Sequence, residues 1–296
     1  MTATAQTQAP SLRGLGWGVF FMGFVPGLLQ YQLGQKRRAA VAFLSCIALY
    51  FVGWAFVRDR LIGFSLFTPE TSNPNGGGAL VMLAHCGVVV TLPEILNFPA
   101  HALGSILSFA TSFDAQRLWR LPRPPFEDLG AFLTAASGYL AAFWSADGHW
   151  GMRLRRDGPA LPAPAAPVCS PGFAAGVSWL LPGAGHVLAG QRNKGLLMGV
   201  STLTMFALGL LFSLGHAVDR SIASVWWIGE SLCGGGTLFA SLVTAPPKMA
   251  SEPANLDLGT VLCTVAGLMN LVVMVDAFTV AERSVFPLSR RQEGGM

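Results

Sequence analysis

Two glutamates stand inside long apolar stretches of this sequence and are its first candidates for chemistry. Glu94 lies between Pro93 and Pro99, and Glu230 precedes the glycine run 234–236. A charged group inside a membrane span is costly and tends to face a bundle interior or a wet cavity. A broken helix around such a group is typical of an ion or substrate site. A protonated or hydrogen-bonded glutamate that joins helices explains the same pattern, and both interpretations stay open here.

Two aspartates and one histidine stand near the ends of apolar runs. Asp147 and Asp276 end matching runs, where they form either a paired ion or proton site or two interfacial carboxylates that leave the lipid. His186 lies close to a basic turn, and we expect it to form a hydrogen bond across that turn. The remaining histidines have no ligand-like spacing, so no metal site is predicted. They are His85, His101, His149 and His216.

The sequence contains none of the common catalytic signatures. It has neither a G-x-S-x-G elbow nor an H-E-x-x-H helix. Its five cysteines form no C-x-x-C pair, which speaks against a disulfide framework or a zinc site. Basic residues are spread thinly between apolar runs, unlike the continuous stripe that binds nucleic acid. We therefore predict no catalytic residue, no cofactor and no nucleic-acid partner.

Composition identifies the class of protein. Of the 296 residues, 52% are hydrophobic and only 11% are charged, whereas soluble domains carry about 25% charged residues. The mean hydropathy is +0.51, and several apolar runs reach the ~20 residues that cross a bilayer. The net charge of +4 fits basic loops against anionic headgroups. These values predict a multi-pass membrane protein.

A short hairpin pattern occurs twice. It reads FVPGLLQYQLGQKRRA from Phe24 and WLLPGAGHVLAGQRNKG from Trp179. We predict that each copy is two membrane helices joined by a tight basic turn, with a kink at the proline. The matching positions keep one constant offset: Pro26, Gly27, Gly34 and Gln35 in the first copy, and Pro182, Gly183, Gly190 and Gln191 in the second.

A second pair of matching blocks follows in the same order. Asp128-Leu129-Gly130, Gly138 and Asp147 correspond to Asp257-Leu258-Gly259, Gly267 and Asp276. Two ordered blocks indicate an internal repeat rather than chance apolar similarity. The two offsets differ because the first repeat has the longer third region. Glu94 and Glu230 are expected to correspond as well, a match that consists of a single residue.

The predicted fold is an all-α, polytopic transmembrane helix bundle with about eight spans in two pseudo-repeats. Four spans per repeat would give both copies the same orientation. In that arrangement Arg153, Arg155 and Arg156 lie opposite the basic turns. The predicted division is a disordered tail (1–13), repeat 1 (14–151), a Pro/Ala-rich linker (152–171), repeat 2 (172–283) and a tail (284–296).

The hairpins resemble the two-helix membrane domain of beta-amyloid-peptide-binding-protein-like proteins. Tyr31 and Gly34 supply the aromatic-x-x-Gly end that this domain has before its short polar turn. The resemblance covers the two hairpins alone and implies no reaction. The rest of the repeat resembles uncharacterised bacterial multi-pass families. In the second copy the matching residues are Gly183, Gly185, His186, Gly190 and Gly195.

Two functions are expected from these features. The first is a non-enzymatic membrane component that binds lipid, a partner protein or a second copy of itself through small-residue helix faces and basic turns. The second is a small secondary transporter with Glu94 and Glu230 at the repeat interface. The expected location is a bacterial inner (plasma) membrane.

Overall fold

The computed structural model describes residues 22–58, 60–61, 91–111, 124–157, 169–221, 224–243 and 254–284. Both predicted tails, the residues 14–21 that open the first predicted span and most of the predicted linker lie outside these ranges. The described residues are helical and contain no strand, as predicted. We number the helices α1 (Leu28–Gln32), α2 (Lys36–Val57), α3 (Phe98–Thr111), α4 (Glu127–Asp157), α5 (Pro171–Leu180), α6 (Ala184–Leu188), α7 (Arg192–Phe212), α8 (Ser224–Ser231), α9 (Gly234–Val243) and α10 (Leu256–Arg283).

Four of these helices, α2, α4, α7 and α10, are long and apolar enough to cross a membrane. They pack in two equivalent pairs, α2 with α4 and α7 with α10. Small residues make each pairing close, because a Cβ at Gly53 would meet the Thr134 backbone and one at Gly209 would meet the Cys263 backbone. Large apolar side chains such as Leu44, Leu197 and Leu211 stay exposed on these helices, as a lipid-facing surface requires.

The predicted span 173–189 is broken, and its two halves fold back on each other. α5 ends at Leu180, Gly183 takes a left-handed φ of 81°, and α6 begins at Ala184. The Gly185 amide donates to Ser178 Oγ at 3.0 Å. Since α5 and α6 lie side by side, the segment enters and leaves at the same end of the bundle instead of crossing it.

The third region of repeat 2 is also broken. In repeat 2, α8 ends at Ser231 and α9 begins at Gly234, where the glycine run predicted an unwound helix. Thr237 Oγ1 donates to the Glu230 carbonyl oxygen at 2.7 Å, so α9 turns back along α8. In repeat 1, the 3₁₀ turn Glu94–Asn97 leads directly into α3. The break predicted beside Glu230 is therefore observed, whereas residues 79–90, which precede Glu94 in its predicted broken region, lie outside the described residues.

The ends of these short segments meet inside the bundle. In repeat 1, the Phe98 amide donates to the Phe24 carbonyl oxygen at 3.2 Å. In repeat 2, Gly235 faces the Leu180 carbonyl oxygen so closely that a Cβ would overlap it. The predicted count of about eight spans includes these short segments, whereas each repeat has two long helices among the described residues.

The two repeats point in the same direction. Tyr139 Oη of α4 and Ser231 Oγ of α8 are 2.7 Å apart. Arg153 of α4 forms an ion pair with Glu282 of α10 near the C-terminal ends of both helices. Equivalent ends of equivalent helices are thus on one side. The basic turns 36–38 and 192–194 lie at that same end of the bundle, which we call the turn end.

Two of the arginines predicted to lie opposite the basic turns are at the turn end. Arg155 Nη2 donates to the Leu33 carbonyl oxygen at 2.7 Å, and Arg153 reaches Glu282 on the same side. The prediction was wrong because it treated the third region as a full crossing. α3 instead runs back toward the end of α2, because Ser108 Oγ lies 3.4 Å from the Arg58 carbonyl oxygen. α4 therefore starts at the end of the bundle opposite the basic turns.

The helix boundaries also extend beyond the predicted ones. α4 continues through Asp157, so residues 152–157 of the predicted linker are helical. α5 starts at Pro171, where Ser170 Oγ accepts from the Phe173 amide at 3.3 Å and caps the helix. Proline suits this first turn because its missing N–H would have no partner there.

Candidate functional site

The hairpin motif has the same backbone geometry in both repeats. Gly27 and Gly183 have φ of 82° and 81°, and Gly34 and Gly190 have φ of 77° and 84°. Glycine adopts this left-handed region without the strain that other residues meet. The amides of Gln35 and Gln191 then donate to the carbonyl oxygens five residues back, at 2.9 and 2.7 Å. The repeated Pro-Gly and Gly-Gln pairs therefore encode one turn, used twice.

Each predicted aspartate pairs with the basic turn of its own repeat. Arg38 Nη2 is 3.0 Å from Asp147 Oδ2, and Lys194 forms the equivalent ion pair with Asp276. Asp276 also lies 2.6 Å from His186 Nε2. The partner predicted for His186 was wrong, because His186 bonds to α10 and not across the basic turn. Asp147 and Asp276 thus bind the turns to α4 and α10.

The first repeat uses a different side chain where the second has His186. Gln30 stands at the equivalent position and donates from Nε2 to the Trp144 carbonyl oxygen at 2.6 Å. Gln30 and His186 are both fully buried. The shared property of this position is therefore a buried polar side chain that bonds to the second long helix of its repeat, α4 or α10.

Glu94 is neutralised by an arginine from the other repeat. Arg220 Nη1 and Nη2 both bind the Glu94 carboxylate, the latter at 3.1 Å, and Nη2 also donates to the Leu92 carbonyl oxygen at 3.0 Å. Thr134 Oγ1 adds a hydrogen bond to Glu94 Oε1 at 3.0 Å. Both charged side chains are about fully buried, at 0% and 1% exposed.

Trp227 completes the surroundings of this ion pair. Its ring lies 4.4 Å from the Arg220 guanidinium carbon, a favourable position for a cation over an aromatic face. Trp227 Nε1 donates to the Val218 carbonyl oxygen at 3.0 Å, which fixes the ring. Arg220 was not among the sequence-predicted residues. The available signal was the charged pair Asp219-Arg220 between two apolar runs.

Glu230 holds the position in repeat 2 that Glu94 holds in repeat 1. A Cβ at Gly138 would overlap the Pro93 carbonyl oxygen next to Glu94, and a Cβ at Gly267 would overlap the Gly229 carbonyl oxygen next to Glu230. Each glutamate thus lies against a glycine of the second long helix of its repeat, α4 or α10. The correspondence inferred from a single residue match is supported by this shared contact.

The two glutamates differ in their partners. Glu230 is 0% exposed, and neither of its carboxyl oxygens has a hydrogen-bond partner among the described residues. The neighbouring Thr264 hydroxyl donates to the Trp226 carbonyl oxygen at 3.2 Å. Within the described part of the chain, no group of His, Cys, Asp or Glu side chains is arranged to hold a metal ion.

A cleft of about 420 Å³ separates α4 from α5, at the junction of the two repeats. The Arg38–Asp147 ion pair forms one part of its wall. Phe173, at its edge, is 57% exposed, so the cleft is reached from the apolar surface. Most of the lining is apolar: Leu140, Phe143, Trp144, Phe173, Gly176, Val177, Trp179 and Leu180.

Comparison with known proteins gives one match. Residues 173–287 match a family of unknown function (DUF6677), which covers the second repeat and leaves the first unmatched. No curated protein matches the chain, and no solved structure does either. The second repeat is thus similar to a family whose function is itself not known.

Proposed function

We propose that this chain is a non-enzymatic membrane protein that holds an anionic lipid in the cleft between its repeats. The observation that carries the proposal is the apolar cleft with the Arg38–Asp147 pair in its wall. Its volume of about 420 Å³ falls in the range of small-molecule sites. Apolar walls suit an acyl chain, and the basic turn suits the headgroup.

Charge at the turn end supports the choice of an anionic headgroup. Lys36, Arg37 and Arg38 are all exposed on the first turn. Arg192 is exposed on the second turn. Each basic residue near a negatively charged membrane surface contributes about 1 kcal/mol of attraction. The resemblance of the hairpins to a membrane-domain family agrees with a binding role and adds no reaction.

The lipid proposal is tested by filling the cleft. Val177→Trp puts a large side chain into the cleft, whereas Val200→Trp makes the same change at a site that is 64% exposed on α7. After extraction into native-lipid nanodiscs, mass spectrometry should find anionic lipid enriched around the wild type and Val200→Trp. Val177→Trp should lose that enrichment.

A second pair of variants tests the headgroup contact. Arg38→Ala removes the basic residue that lines the cleft, and Arg37→Ala removes its neighbour, which does not. The loss at Arg38 should be about fivefold in lipid enrichment, the equivalent of about 1 kcal/mol, and larger than the loss at Arg37. Equal lipid composition in all four variants contradicts the proposal. A stoichiometric protein without enriched lipid would instead support binding of a partner protein.

A small secondary transporter is the alternative. Folded-back helices that meet inside the bundle, with Glu94 and Arg220 at the repeat interface, favour it. A transporter reconstituted in liposomes should move a solute and lose that movement on Glu230→Gln while its fold is retained. We propose a bacterial inner membrane as the location for either function.

A further inference from the structure

We propose that Glu230 is a proton-binding site, where the side chain is held as the neutral acid inside the bundle near neutral pH. Its position lies outside the lipid cleft, so this inference is independent of the proposed lipid.

The equivalent glutamate shows what an ionised side chain needs at this position. Glu94 has two guanidinium nitrogens and the Thr134 hydroxyl as donors. An isolated buried carboxylate is very unfavourable, and such a group takes up a proton instead. Glu230 has no donor to either oxygen among the described residues, so the neutral acid is the form that its surroundings tolerate.

The nearby charged groups do not supply a counter-ion. Arg220 directs both terminal nitrogens to Glu94 and to the Leu92 carbonyl oxygen. Asp219 acts on Glu230 as a like charge. The amide and hydroxyl of Ser221 donate to Asp219 Oδ1 at 2.9 and 2.6 Å. A second negative charge at Glu230 would be repelled.

Among the residues that the structure describes, the other elements packed around Glu230 carry no cation that reaches it. From α10, Thr264 and Cys263 lie next to it. From the α8–α9 break, Cys233 donates its amide to the Glu230 carbonyl oxygen at 2.9 Å and leaves the carboxyl group unbound. A proton is therefore the ligand that best fits this pocket.

Infrared spectroscopy of the purified protein in nanodiscs tests this directly. A protonated carboxyl group absorbs as an acid carbonyl, apart from the carboxylate bands. With glutamate labelled by ¹³C at the side-chain carboxyl, we expect an acid band in the wild type near neutral pH. Glu230→Gln should remove that band, whereas Glu94→Gln should remove carboxylate absorption and leave the acid band unchanged.

Two results overturn the proposal. One is a labelled wild type without any acid band, a measurement that needs no variant to fold. The other is an acid band that survives in Glu230→Gln. A Glu230 that binds a metal cation would appear as a carboxylate, and that outcome also counts against a proton site.

Discussion

At the scale of single residues, Glu94 and Glu230 share a backbone setting and differ in one counter-ion. Arg220 crosses from repeat 2 to reach Glu94, and the pair is shut off from solvent. In such pairs, the loss of one partner strands the other charge, which typically costs about 3–5 kcal/mol. Replacement of both by apolar groups is often neutral, since no charge is left to desolvate.

A double-mutant cycle checks this expectation. Arg220→Met should lower the free energy of unfolding by about 3–5 kcal/mol, and Glu94→Leu combined with Arg220→Met should recover much of it. Arg153→Met is the matched control, because the Arg153–Glu282 pair is partly exposed and should be worth no more than about 1 kcal/mol. Denaturant unfolding in micelles gives the values. Equal losses for both arginines would contradict a buried pair.

The sequence alone indicated the two glutamates but not the arginine that pairs with Glu94. Glu94 and Glu230 stand out because acidic residues are rare in apolar runs. Arg220 does not, because Asp219 and Ser221 beside it resemble an ordinary loop between spans. Arg220 and Glu94 are also 126 positions apart along the chain. A local sequence pattern carries no information about contacts between repeats, so it does not predict this pairing. The contact depends on how the repeats pack.

At the scale of elements, glycines decide how closely the short segments approach the long helices. Gly138 lets Pro93 and Glu94 touch α4, and Gly267 lets Gly229 and Glu230 touch α10. A methyl group at either position would meet backbone, which cannot rotate away. At Gly151 it would meet only the end of the Leu33 side chain.

Alanine substitutions test this difference. Gly138→Ala and Gly267→Ala should each destabilise the protein by about 1–3 kcal/mol through overpacking. Gly151→Ala should cost much less, because Leu33 can change its rotamer. Thermal unfolding in nanodiscs measures the effect. If Gly151→Ala is as harmful as the other two, backbone contact is not the cause.

Helix breaks were predictable, and the direction of the chain after each break was not. Proline and glycine mark where a helix stops, which located the breaks near Pro182 and the run 234–236. Folding back depends on contacts such as Gly185 against Ser178. Hydropathy alone reads the same residues as one continuous span, because both halves are apolar.

At the scale of the whole molecule, both basic turns and the C-terminal ends of α4 and α10 lie at one end of the helix bundle. The turns therefore share that end with Arg153 and Arg155. Arg153 and Arg155 thus add to the positive charge of the basic turns at this end. By the positive-inside rule, the turn end is then expected in the cytoplasm.

Single cysteines introduced into a cysteine-free background test this arrangement. Arg37→Cys and Arg192→Cys are exposed at the turn end, and Asn255→Cys is exposed at the opposite end, where α10 begins. In intact cells, a membrane-impermeant maleimide should label Asn255→Cys and spare the other two until the membrane is opened. Labelling of Arg37→Cys and Arg192→Cys from opposite sides would rule out parallel repeats.

The paired short helices have a consequence for how the protein is made. α5 and α6 leave irregular backbone at residues 181–183, and such backbone is tolerated at membrane depth only when protein covers it. Part of that cover is Asn270 of α10, whose Nδ2 lies 3.4 Å from the Trp179 carbonyl oxygen. The ribosome synthesises α10 after α5 and α6. Until α10 is made, the α5–α6 pair is expected to stay at the bilayer surface or in the insertion machinery. The α5–α6 pair should therefore insert late, between helices that are already in the membrane, once α10 has emerged.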